Sequence, residues 1–105
     1  MKNSELKLKL INRGNEGELQ VSGWIDANNT PEFQQLLEQQ VGRFDRIVLN
    51  LKDLEYISSA GLRALRVLHV KMRDKGERVV IKNVRDDVKS VFVVTGFNRL
   101  FAFEN

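Results

Sequence analysis

Cysteine is absent from this chain, proline and histidine occur once each (Pro31 and His69), and no apolar run exceeds a few residues. Without thiols there is no disulfide framework, no cysteine-type zinc site and no thiol nucleophile. The apolar runs fall far below the ~20 residues needed to cross a bilayer. The N-terminal stretch MKNSELKLKL alternates lysine with leucine and builds no apolar h-region, so no secretory signal is visible. A cytoplasmic protein with no membrane span is expected.

The single histidine also narrows the chemistry. Triad chemistry would need His69 with Ser58 or Ser59, yet these lie roughly ten residues, or about 15 Å, apart along one helix. They cannot meet, so His69 is expected at the surface or core boundary, and no catalytic residue is assigned. The glycines follow neither the GxxxxGK[ST] nor the GxGxxG spacing. Asp86 and Asp87 are adjacent, so their side chains diverge on a helix, and no metal-ligand spacing occurs. Neither an enzyme nor a cofactor or metal is expected.

What is present suits one domain, residues 1–105. Apolar residues make up 42% of the chain, enough for one core flanked by helices and too many for a disordered segment. The net charge is +3, and Lys and Arg are dispersed among 14 acidic residues. No direct nucleic-acid partner is expected from that pattern.

Leu6, Leu8 and Leu10 alternate with lysines as in a half-buried strand, and the turn-rich segment 12–17 leads to a second strand through Leu19, Val21 and Ile25, with Gly23 marking a bend. Thr30-Pro31 is expected to open a helix with threonine as cap, and Gly42 to end it. The apolar run 46–51 predicts a central strand covered on both faces. A loop with Asp53, Glu55 and Tyr56 then leads to a long helix from Ser58-Ser59 to about Lys75, stopped by Gly76. Val79 to Ile81 make a further strand. Asp86 and Asp87 suit the first turn of a last helix closed by Gly96. Leu100 to Phe103 read as an edge strand or as packing under the sheet. The order ββαβαβα plus a tail is an α/β domain: a mixed four- to five-stranded sheet with helices packed against it.

Chemistry concentrates at the serine pair. Ser59 falls at or just before the first helical turn, where unpaired N–H groups point outward and a phosphate would meet them and the positive end of the dipole. A plain N-cap is an equally physical role for Ser58 or Ser59.

The stretch Leu49-Asn-Leu-Lys-Asp53-Leu-Glu-Tyr-Ile57-Ser-Ser59-Ala-Gly61-Leu62-Arg-Ala-Leu65 resembles the signature of STAS domains, specifically bacterial anti-sigma factor antagonists, and Val21 to Phe33 is similar to the family's second strand and first helix. The resemblance spans nearly the whole chain. It implies binding to an anti-sigma factor with serine-kinase activity, which releases a sigma factor for transcription. It also implies phosphorylation of the serine two positions before the family's glycine, reversed by a serine phosphatase. Gly61 matches that glycine, Ser59 the acceptor, Asp26 an acidic position near the same surface, and Gly61-Leu62 the supporting helix start. Many members carry aspartate where this chain has Ser58, which makes Ser58 an alternative acceptor, and well-known antagonists of this type are acidic where this chain is basic. A STAS interaction module of another signalling or transport-associated complex, never phosphorylated, is the alternative the resemblance leaves open.

On a helical wheel Leu62, Leu65, Leu68 and Met72 share one face, and Arg63, Arg66 and Arg73 lie opposite with Val67 and Val70 nearby. That outer face reads either as a solvated cationic surface or as a docking face for an acidic partner beside Ser58 and Ser59. Trp24 and Phe97 are expected in the core or at its boundary.

Overall fold

A computed structural model describes residues 5–104; Met1 to Ser4, part of the N-terminal stretch read above, and Asn105 lie outside the described residues. The elements are β1 (Lys7–Arg13), β2 (Glu16–Ile25), α1 (Thr30–Arg43), β3 (Arg46–Ile57), α2 (Ser59–Asp74), β4 (Val80–Lys82), α3 (Asp86–Thr95), a 3-10 turn (Phe97–Arg99) and β5 (Ala102–Glu104). They form one mixed five-stranded sheet in the order β1-β2-β3-β4-β5. β1 and β2 are an antiparallel hairpin, and every later pairing is parallel.

That monotonic order decides where the helices go. Each crossover steps to the next strand in the same direction, and right-handed crossovers then place α1, α2 and α3 on one face. The core lies beneath them: Leu19, Val21 and Ile25 of β2, alternate apolar residues of β3, Phe33 and Leu37 of α1, Leu65, Leu68 and Met72 of α2, and Phe92 of α3 are all buried. The other face carries half-exposed Gln20, Ser22 and Asn50 and exposed Lys7, Lys9 and Lys52. The expectation that β3 is covered on both faces is therefore corrected. Its near-continuous apolar run arises because Val48 is sheltered in the sheet between its register neighbours Glu18 and Val80.

β3 also runs to Ile57, through the segment read as a loop. Gln20 pairs with Asn50, Ser22 with Asp53 and Trp24 with Tyr56, so β3 holds two residues more than β2 over this stretch. These bulges change the burial period from two to three: Leu51, Leu54 and Ile57 are buried and the pairs between them exposed. A period of three does not look like a strand. At α1 the N-cap is Asn29, not Thr30; Thr30 is buried inside the helix, its hydroxyl donating to the Asp26 carbonyl at 2.6 Å. The helix continues through Gly42 to Arg43. Gly96 closes α3 in the left-handed region as expected, and the tail is an edge strand.

Glu18 is a feature of the uncovered face that the sequence did not signal. Only 4% exposed, its carboxylate accepts from Asn50 Nδ2 at 3.0 Å, Gln20 Nε2 at 3.3 Å and Arg13 Nη2 at 3.1 Å. The Asn50 hydrogen bond above all, then those of Gln20 and Arg13, hold it below the usual carboxylate range against the opposing effect of burial.

Candidate functional site

The C-terminal ends of β2 and β3 meet the first turn of α2. The Ser58 N–H donates to the Ile25 carbonyl at 2.8 Å, which ties the start of α2 to the last residue of β2. Ser58 has extended backbone (φ −83°, ψ 169°) and its Oγ accepts from the Gly61 N–H at 3.1 Å. That is the geometry of an N-cap, and it occupies the Ser58 hydroxyl.

Ser59 is different. It is the first residue of α2, exposed, and its hydroxyl makes no hydrogen bond to any described residue. The first turn of α2 contains no acidic residue, so the positive end of its dipole has no carboxylate of its own. The two readings of the serine pair thus divide between the two residues: Ser58 caps, and Ser59 presents a free hydroxyl.

Gly61 is buried because the helix seats directly on the strand ends. A Cβ there would lie 2.7 Å from Ile25 Cγ2 and 2.8 Å from Ile57 Cγ1. Leu62, 3% exposed, is anchored in the core. Buried as they are, both hold the start of α2 against the strand ends from below. Asp26 is half-exposed at the same edge, next to Ile25, with Oδ1 accepting from the N–H groups of Asn28 and Asn29 at 2.9 and 3.0 Å. Its carboxylate shapes the turn into α1.

Arg63 and Arg66 are exposed and Val67 and Val70 half-exposed. At ~100° per residue, positions 59, 63, 66 and 70 fall within a stripe of about 60°, with 67 on its flank. Ser59 is therefore the head of a continuous cationic and aliphatic stripe. His69 is half-buried, as its boundary assignment anticipated, and Phe97 packs partly buried against the core.

The sequence reading missed an aromatic pair at this edge. Trp24 and Tyr56 are register neighbours with ring centroids 5.1 Å apart, and Tyr56 is 44% exposed. Only the register, set by the bulges in β3, brings them together. Neither of the two principal clefts is lined by Ser58 or Ser59. The first, about 470 Å³, lies on the uncovered sheet face among Lys7, Lys9, Gln20, Asn50 and Asn83; the second, about 390 Å³, lies at the far end of α2. No group of His, Asp and Glu suited to a metal ion occurs among the described residues.

The STAS domain family profile matches residues 8–105. The chain belongs to the STAS domain family. This STAS domain is 31% identical over 86 residues to BtrV of Bordetella bronchiseptica, a protein named as an anti-sigma factor antagonist, covering 81% of this chain and 74% of BtrV. Its fold matches an anti-sigma factor antagonist from Mycobacterium paratuberculosis with a TM-score of 0.81 at 22% identity, covering 95% of this chain and 86% of that one. It also matches the anti-sigma factor antagonist SpoIIAA of Bacillus at 14% identity, with TM-scores of 0.79 for the unphosphorylated and 0.72 for the phosphorylated form. Those alignments cover 96% of this chain and 89% and 92% of the SpoIIAA chains. The α/β fold expected from the sequence is the fold of this family. Among the described residues no helix is long and apolar enough to cross a membrane.

Proposed function

We propose that this STAS domain is a cytoplasmic anti-sigma factor antagonist. In this reading it binds an anti-sigma factor with serine-kinase activity and so frees a sigma factor. Phosphorylation of Ser59 ends the binding, and a serine phosphatase restores it. The free, exposed hydroxyl of Ser59 at the mouth of α2 carries the reading, set beside a Ser58 whose hydroxyl is already engaged. Relatives named as antagonists support the partner class.

The chemistry of the switch is electrostatic. A phosphoryl group adds about −1.5 to −2 charges at one surface point. The helix dipole and Arg63, one turn along, compensate that charge within the free domain. An acidic partner seated along Arg63, Arg66, Val67 and Val70 meets it as repulsion and as a charge to be desolvated. The cost therefore falls on the complex. Ser58 stands where many members carry aspartate; both are good N-caps, so the helix start is kept while one negative charge beside the acceptor is removed.

The test is calorimetric binding of the cognate anti-sigma factor to wild type, Ser59→Ala and Ser59→Asp, with site mapping by mass spectrometry after incubation with ATP. Ser59→Ala is expected to bind like wild type and Ser59→Asp at least about tenfold more weakly, the order expected for one unpaired charge at an interface. Phosphate located on Ser58, or equal affinities for both variants, would remove Ser59 from the mechanism. Binding without any phosphate transfer would leave the non-phosphorylated interaction module.

A further inference from the structure

We propose that the cleft between the C-terminal half of α2 and the 3-10 turn is an oxyanion site that takes a phosphate group, free or as a small phosphomonoester. It lies at the opposite end of α2 from Ser59, 14 residues and so about 21 Å along the axis from Arg73. The site does not depend on the function proposed above.

The cleft has a volume of about 390 Å³, and its walls include His69 and Arg73 of α2, Glu77 and Arg78 before β4, and Arg99 of the 3-10 turn. Three arginines from three chain segments thus line one cleft. Arg78 is held in place: its Nη2 donates to the Arg99 carbonyl at 3.1 Å and the Phe101 carbonyl at 3.4 Å, and its Nε and Nη1 hydrogens make no hydrogen bond to a described residue. Among the described residues, the side chains of Arg73 and Arg99 make neither an ion pair nor a hydrogen bond. Glu77 is the only carboxylate in the lining among the described residues, and it pairs with none of these arginines within 4.0 Å.

His69 senses two of these three arginines. Its ring packs edge-on against Phe101 at 5.9 Å, and its Nδ1 is buried without a partner, which leaves the imidazole proton on the accessible Nε2. Burial first, then Arg73, Arg78 and Arg66, hold the imidazole below its ordinary pKa. Glu77 and the C-terminal dipole of α2 together oppose an anion with about one and a half negative charges, against three positive ones. Arginine forks match the oxygens of phosphate, and a cavity this size leaves room for the organic part of an ester.

The experiment is an NMR titration of the full chain with inorganic phosphate and, separately, phenyl phosphate, at constant ionic strength set with chloride. Saturable shifts at His69, Arg73, Arg78 and Arg99 are expected, with the His69 pKa rising on saturation. The exposed double substitution Arg73→Gln/Arg99→Gln should weaken binding by about tenfold or more, as loss of two charge-assisted contacts requires. Glu77→Gln should tighten it, and Arg63→Gln, which removes one positive charge outside the cleft, should leave it unchanged. Tighter binding of phenyl phosphate identifies an ester as the ligand; equal binding identifies free phosphate. Shifts that grow linearly with anion concentration, or an Arg63→Gln effect as large as that of the double variant, would overturn the site.

Discussion

Replacing Ser58 by alanine removes one hydrogen bond, from the Gly61 N–H to Ser58 Oγ at 3.1 Å, and leaves that N–H without its cap. Loss of a serine N-cap costs about 0.5–2 kcal/mol, typically ~1. Ser58 is half-buried, so solvent replaces only part of the lost acceptor and the central value is the expectation. For a domain of this size about 1 kcal/mol corresponds to a drop in melting temperature of roughly 4–8 °C. Two comparisons separate capping from other causes. Ser58→Asp keeps an acceptor at the cap and adds a favourable charge to the dipole, so its stability should equal or exceed wild type. Ser59→Ala removes a hydroxyl that bonds to no described residue and should fall within about 0.5 kcal/mol of wild type, as exposed substitutions do. Urea unfolding followed by circular dichroism measures all three at unchanged m-value. If Ser58→Ala were as stable as wild type, or Ser59→Ala were the costly variant, the division of labour between the two serines would be wrong. The preference for Ser59 as acceptor would then lose its basis.

Ser59→Asp should stabilise the isolated domain slightly, by about 0.3–1 kcal/mol at low salt, because it places a carboxylate in the first turn of α2; thermal melts at two ionic strengths check this, and a lower melting temperature would contradict it. Gly61→Ala should destabilise by about 1–2 kcal/mol, since overpacking against Ile25 and Ile57 costs about 1–3 and helix propensity returns at most ~1. A stability gain would mean that the helix can lift off the strand ends freely. Glu18 has a depressed folded pKa, so its contribution is complete above the unfolded value of 4.5 and is lost as pH falls through the folded one. Glu18→Gln should therefore flatten the acid limb of stability below about pH 4.5, and denaturant curves from pH 3 to 7 will show it.

How far the chain could be read before folding depended on local periodicity. The β1–β2 hairpin, α2, the acidic first turn of α3 and the Gly96 stop were legible because each rests on neighbouring residues alone. Asp53 to Ile57 were not, because two bulges against β2 replaced the alternation of a strand with a period of three. The uncovered face of β3 was hidden for a related reason: Val48 is apolar for its neighbours within the sheet, with no helix above it. At the site, the serine pair was visible from its place before a helix, but which serine caps and which is free depends on a single hydrogen bond. The burial of Gly61 and Leu62 was not legible, since it is set by how closely α2 sits on Ile25 and Ile57. Trp24 and Tyr56, 32 residues apart, come together only through register.

Because one serine holds the helix and its neighbour carries the free hydroxyl, a mark on Ser59 need not disturb the architecture beneath it. Both forms of the molecule would then resist unfolding, and the proteolysis that follows it, to nearly the same degree. Neither would be selectively cleared. The balance between them would be governed by the enzymes that add and remove the mark, and a cell could reset it without making new protein.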